Sequence, residues 1–164
     1  MSGPGPLGIV AGRGALPRLV AVAMEAAARP VEIVTLAPLP EPWIGRFPHR
    51  TIPFEALGAI FEHFSAAGIR DICLAGAMER PTLDPTRFDP TLAALAPRLL
   101  PLLREGDDAL LRALIEVFEA RGFRIVAAHE IVPELVIGAG TLTVHAPSKA
   151  DCEDIARGRA ILGA

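Results

Sequence analysis

The chain has 164 residues and a mass of 17.3 kDa, enough for one domain with its own core. Hydrophobic residues make up 51% and charged residues 21%, which excludes long-range disorder; 16 Lys+Arg against 19 Asp+Glu give a net charge of −3, the wrong sign for a general nucleic-acid binder. Two cysteines, Cys73 and Cys152, lie too far apart for a disulfide scaffold or a Cys-rich zinc site and fit a reducing compartment.

Leu7–Ala11 is a short apolar run ending at Gly12-Arg13-Gly14, as expected of a buried strand entering a tight turn. Pro17 suits the start of a helix that Leu19, Val20, Val22, Ala23 and Met24 continue to about Ala28. Val31–Leu36 reads as a second strand. Ala37–Pro48 holds four prolines with Trp43 and Phe47, which predicts a loop or a pair of short turns; the two aromatics would cover the core edge or form an apolar lip. Arg50–Pro53 is a short strand candidate. Ala56–Ala67 carries Leu57, Ile60, Phe61 and Phe64 at helical spacing and is stopped by Gly68. Asp71–Ala75 is a third clear strand, again followed by a glycine, Gly76.

A proline-rich loop is expected from Arg80 to Pro90, then a helix over Leu92–Arg104 broken or kinked by Pro97 and Pro101. Asp108–Arg121 is the clearest helix, with Asp107 as N-cap and Gly122 as its stop. Phe123–Ala127 predicts another strand, Thr141–Val144 an edge strand, and Ser148–Leu162 a final helix opened by a Ser148/Asp151 capping box. No stretch is suited to spanning a membrane, because Arg13, Arg18 and Glu25 interrupt the N-terminal apolar region and Leu135–Val144 is too short. Met1–Pro6 lacks a positive n-region, so no signal peptide is expected and the expected location is the cytoplasm, with peripheral contact to the inner membrane left open.

Alternating apolar strands and helices predict an α/β, Rossmann-like three-layer sandwich: a mainly parallel sheet with helices on both faces. Ligands of such sheets bind beyond the carboxyl ends of the strands. Gly12–Gly14, Gly76–Arg80 and His129–Glu130 all follow strand ends, which would gather them around one crevice. The glycine turn lets backbone N–H groups approach a phosphate at a helix start, and its location favours that role over a merely permissive bend. It is not a P-loop, since no Gly-Lys-Ser/Thr follows, and it is a poor dinucleotide fingerprint: Pro17 occupies the third glycine position and Thr35-Leu36-Ala37 offers no acid for a ribose hydroxyl. Arg80 would either clasp a phosphate or stand as a surface residue before a turn proline. Helix capping accounts for Asp107 and Asp108 better than metal binding does. His129 is a candidate acid–base or sugar contact, though a lone His beside an acid is more often structural. His49, His63 and His145 have no metal-like spacing; Cys73 reads as core packing, and Cys152 has no His partner.

Four stretches carry a resemblance: LGIVAGRGALP at Leu7–Pro17, LAGAMERP at Leu74–Pro81, GDDALLR at Gly106–Arg112 and AHEIVPEL at Ala128–Leu135. In this order and spacing they resemble the N-terminal domain of the UDP-2,3-diacylglucosamine pyrophosphatases of the LpxI family. The resemblance implies hydrolysis of UDP-2,3-diacylglucosamine to UMP and 2,3-diacylglucosamine 1-phosphate in lipid A biosynthesis, with a divalent metal such as Mg²⁺. It implies a two-domain enzyme with substrate held between a Rossmann-like half, residues 1–146 here, and a C-terminal catalytic half reached through a linking helix, residues 147–164. The TDAM and QDxRxDLPTIG-like segments of that second half do not occur in this sequence. The expectation is therefore a substrate-binding half-site formed by Gly12, Arg13, Gly14, Ala15, Gly76, Arg80 and His129. No catalytic residue and no metal bound by the chain alone are expected, and apolar surface bared without the other domain would favour homo-oligomers. A stand-alone nucleotide- or sugar-nucleotide-binding regulatory module is the alternative. A nicotinamide dehydrogenase fragment is disfavoured by Pro17 and the missing acid.

Overall fold

A computed structural model describes residues 5–38, 41–78, 82–105, 107–138 and 140–163. Its centre is a five-stranded, all-parallel sheet of β1 (Leu7–Ala11), β2 (Val31–Thr35), β3 (His49–Thr51), β4 (Asp71–Ala75) and β5 (Arg124–Ile125). The strand order is β3-β2-β1-β4-β5. The order reverses between β1 and β4, so these two strands flank the topological switch point at which open α/β sheets take ligands.

Every residue of β1 is buried, because the sheet is covered on both sides. Leu7, Ile9 and Ala11 join Ile33, Cys73 and Ala75 in a cluster under α1 (Ala15–Ala26). Helix α1 turns Pro17, Val20, Ala21 and Met24 inward, an i, i+3, i+4, i+7 stripe. Val10, Val34 and Ile72 face the opposite way, against α2 (Leu57–Ala66), α3 (Pro90–Glu105) and α4 (Asp107–Glu119). There Leu57, Ile60, Phe61 and Phe64 repeat the same spacing, and Phe61 meets Phe118 edge-on at 4.9 Å between ring centroids. Gly8 has a packing reason: a Cβ there would lie 3.0 Å from the Phe64 ring and 3.1 Å from Ile69.

One carboxylate starts two helices. Asp89, just before α3, accepts from the Leu92 N–H at 2.7 Å with one oxygen and from the Gly58 N–H of α2 with the other, while its own N–H donates to the Glu55 carbonyl at 2.9 Å. At the opposite, amino edge of the sheet Asp71 accepts from Arg29 at 2.6 Å and from Arg124 at 2.9 Å, tying the entry of β4 to the exit of α1 and to β5.

Several elements depart from the sequence reading. Helix α3 runs unbroken through Pro97 and Pro101. Both prolines lie on its exposed face, as does Ala93, so the carbonyls they leave without an N–H partner meet water, and Leu92, Ala96 and Leu99 hold the other face in the core. The strand expected over Phe123–Ala127 shrinks to Arg124–Ile125, although the Val126 N–H still donates to Ile72 at 2.9 Å. The Glu130 carboxylate accepts from the Ala127 N–H at 3.0 Å and turns the chain into the short helix α5 (Ala128–Ile131). No strand forms at Thr141–Val144: Leu142 is 68% and Val144 98% exposed, and neither sheet edge takes the segment up. The final helix, α6 (Lys149–Leu162), opens as expected on Ser148 and Asp151, which exchange hydrogen bonds, but no residue in it is buried.

Candidate functional site

The carboxyl edge of the sheet brings the two glycine turns into contact. Gly12 donates to the Ala75 carbonyl at 2.8 Å, and Arg13 and Ala77 exchange both backbone hydrogen bonds, at 2.7 and 2.9 Å. The approach leaves no space for side chains. A Cβ on Gly12 would sit 2.4 Å from the Ala77 oxygen; one on Gly76 would sit 2.7 Å from the Arg13 oxygen and 2.8 Å from the Pro17 ring, at a φ of +93° that already favours glycine. Pro17, which replaces the third glycine of a dinucleotide fingerprint, is thus a buried wedge against Gly76.

This bridge redistributes the backbone donors. The Gly12 and Arg13 amides are engaged within the protein. Helix geometry leaves the Ala15 and Leu16 amides of the first turn of α1 without intrahelical acceptors. Gly14, the residue before α1, has φ +99° and ψ −176°, a region essentially restricted to glycine, and nothing lies within 4 Å of where its Cβ would be. The turn therefore presents an open, positively polarised helix start at Gly14 and Ala15.

The remaining expected site residues divide. Arg80 lies outside the described residues. His129 is exposed on α5, which packs against α1 through Ala128, Ile131 and Val132. Its neighbour Glu130 caps that helix. Asp108 pairs with Arg112 one turn on, at 3.0 Å, and the Asp107 side chain lies outside the described residues. His63 bonds Glu32 at 2.8 Å. Cys73 is fully buried, and desolvation, with a smaller contribution from the charge of Glu130, pushes its thiol pKa up to about 11. Trp43 and Phe47 meet edge-on at 6.2 Å and cover the core beside α1. Among the described residues no three His, Cys, Asp or Glu side chains converge as metal ligands.

A second feature of the same edge was not evident in the sequence. Thr35, the only buried polar residue among those described, ends β2, and its hydroxyl lies 2.9 Å from that of Thr51 at the end of β3. They line a cavity of about 310 Å³ with Glu41, Ile44, Gly45 and His49. On the other face, Val10, Leu36, Leu74, Met78 and Leu111 line an apolar slot of about 60 Å³. A polar residue closing the apolar run VEIVT was the available signal; its partners come from a separate strand and loop.

A parallel sheet ordered 3-2-1-4-5, with a glycine turn and helix start at the switch point, defines a Rossmann-like α/β domain. Comparison with known proteins narrows the class. Residues 6–135 match the LpxI N-terminal domain, and the chain belongs to that family. It is 35% identical over 149 residues to the UDP-2,3-diacylglucosamine pyrophosphatase LpxI of Caulobacter vibrioides, an alignment covering 91% of this chain and 53% of that protein. The chain thus spans about half the length of that relative. No described helix is long and apolar enough to cross a membrane.

Proposed function

We propose that this chain is the substrate-binding half of a UDP-2,3-diacylglucosamine pyrophosphatase in lipid A synthesis. Its family membership and the name of its Caulobacter relative support the substrate. The observation carrying the reading is the open helix start at Gly14 and Ala15, whose backbone N–H groups and α1 dipole would receive a phosphate of the substrate's diphosphate. Gly12 and Gly76 shape that turn by letting the two loops interlock; Arg13, Arg80 and His129 are its proposed side-chain contacts. Residues 1–146 form the binding domain in this reading, and residues 147–164 lead to a second domain.

Diphosphate hydrolysis needs an aligned water and charge stabilisation on the bridging and non-bridging oxygens. The described residues supply binding and orientation but no convergent acid set. In this reading the general base and the ligands of any divalent metal are assigned to the other half. A diacylated substrate suits a cytoplasmic location with at most peripheral contact to the inner membrane. That same lack of convergent acids also favours a second reading, a sugar-nucleotide-binding module without turnover of its own.

Two measurements test the proposal. UMP titrated into the isotope-labelled chain should shift the amide resonances of Gly14, Ala15 and Leu16; shifts absent from this turn would overturn the phosphate site. The chain alone should show no turnover of UDP-2,3-diacylglucosamine, and should support turnover when mixed with the C-terminal half of a family enzyme. Robust hydrolysis by the chain alone would refute the division of labour, and failure to complement would favour the binding module.

A further inference from the structure

We infer that the cavity between the carboxyl ends of β2 and β3 is a ribose subsite, holding the sugar of the nucleotide whose phosphate sits at the start of α1. The inference rests on the phosphate site proposed above and adds to it the group bound next door.

Register places the two sites side by side. Ala11, Thr35 and Thr51 are aligned partners across β1, β2 and β3. The glycine turn begins one residue after Ala11, so the cavity lies one to two strand spacings away, at about 4.8 Å each. A nucleotide's 5′-phosphate is bonded directly to its ribose, and a reach of this length suits that pair. Thr35 and Ala11 also belong to the face of the sheet that α1 covers, the face on which the open helix start lies. The interlocked Gly12 and Gly76 turns close the space between β1 and β4, which leaves the β2 side as the route away from the phosphate.

The lining chemistry selects a neutral, hydroxyl-rich group. Among the described residues no Lys or Arg lines the cavity, and Glu41 contributes a carboxylate, so a second phosphate is disfavoured there. Thr35 and Thr51 bond each other through one hydrogen, which leaves one hydroxyl hydrogen and several lone pairs for a ligand. His49 places Nδ1 2.9 Å from the Phe47 carbonyl; a carbonyl only accepts, so Nδ1 carries a proton and, in the tautomer this bond selects, Nε2 is the acceptor. Glu41 and His49 can then accept from the two hydroxyls of a vicinal diol while a threonine donates to one of them. A volume of about 310 Å³ is at the small end for ligand sites and fits one ring system. The acid that sequence reading sought at the end of β2 is supplied by Glu41, six residues after Thr35.

The test compares UMP, 2′-deoxyuridine 5′-monophosphate and glucosamine 1-phosphate by NMR titration of the full chain, alongside its Glu41→Gln and Thr51→Val variants. UMP should bind on the order of tenfold tighter than its deoxy analogue, the value of one charge-assisted hydrogen bond. Glu41→Gln should remove most of that difference while leaving affinity for the deoxy compound, and the melting temperature, unchanged. Equal affinities for UMP and its deoxy analogue, with shifts still present at Gly14 and Ala15, would overturn the ribose subsite and leave the phosphate site standing. Absence of binding by either would overturn both. Shifts at Glu41 and Thr51 with glucosamine 1-phosphate but not with UMP would reassign the cavity to the hexose and likewise end the inference.

Discussion

Replacing Gly12 with alanine separates the packing role of the glycine turn from its ligand role. The new methyl would stand 2.4 Å from the Ala77 oxygen, 2.8 Å from the Ala77 carbonyl carbon and 2.9 Å from the Gly76 carbonyl carbon. All three are backbone atoms, so no side chain can rotate aside. Relief requires the loops to part, which strains or breaks the bonds from Gly12 to Ala75 and between Arg13 and Ala77, at 2.7 to 2.9 Å. Overpacking of this kind costs about 1–3 kcal/mol, and each lost hydrogen bond about 0.5–1.5 kcal/mol. A combined loss of about 2–4 kcal/mol is expected, some 4–16 °C in Tm for a domain of this size. Urea unfolding followed by circular dichroism measures it, with hydrogen exchange at Arg13 and Ala77 as the local readout. Gly138→Ala is the control: nothing lies within 4 Å of its Cβ position, and the change should stay within about 0.5 kcal/mol. A Gly12→Ala protein as stable as the control, with both amides still protected, would refute the interlocked-loop account.

Three further outcomes are expected. The Arg124 hydrogen bond, and then that of Arg29, holds the Asp71 carboxyl below its usual range, so the cluster stabilises the fold above about pH 4 and that contribution is lost as pH falls through the depressed folded-state value. Asp71→Asn should therefore lower stability by about 1–3 kcal/mol at pH 7 and flatten the acid limb of a pH–stability curve; an unchanged acid limb would count against the cluster. Exposed Cys152 should react with a thiol reagent at pH 8 in the native protein, whereas Cys73, buried and raised to about 11, should react only on unfolding, so fast modification of Cys73 in native Cys152→Ala would contradict its burial. Pro97→Ala should raise stability by about 1–3 kcal/mol, since it restores an N–H donor to the Ala93 carbonyl on a solvent-facing side of α3; a destabilised variant would show that the proline is needed for packing.

What the sequence disclosed was local. β1, β2 and β4 announce themselves as short, mainly apolar runs because both faces of each are covered, α2 because its inward residues recur at helical spacing, and α4 because acids open it and a glycine stops it. The glycines after β1 and β4 marked the carboxyl edge, and four motif stretches carried the family. What stayed hidden depended on partners distant in sequence. Pro97 and Pro101 argue for a broken helix until Ala93 and both rings are seen to share a solvent-facing stripe. Phe123–Ala127 is apolar enough for a full strand, but Glu130 turns it early. Val144 sits in a β-like run that no neighbour covers. Gly12 and Gly76 looked like ligand contacts, and their tight spacing against each other becomes visible only when β1 and β4 are adjacent. The Thr35, Glu41, His49 and Thr51 cavity assembles from β2, β3 and the loop joining them, and no single segment of it has a signature.

The bonds made by Asp89 limit how this domain can vary. The same side chain fixes where α2 and α3 begin, and its amide anchors the chain to Glu55, so the segment joining β4 to α3 is clamped at its far end. A shift of one residue at Asp89 would uncap both at once, so one position sets the relative start of two helices that pack on the same face of the sheet.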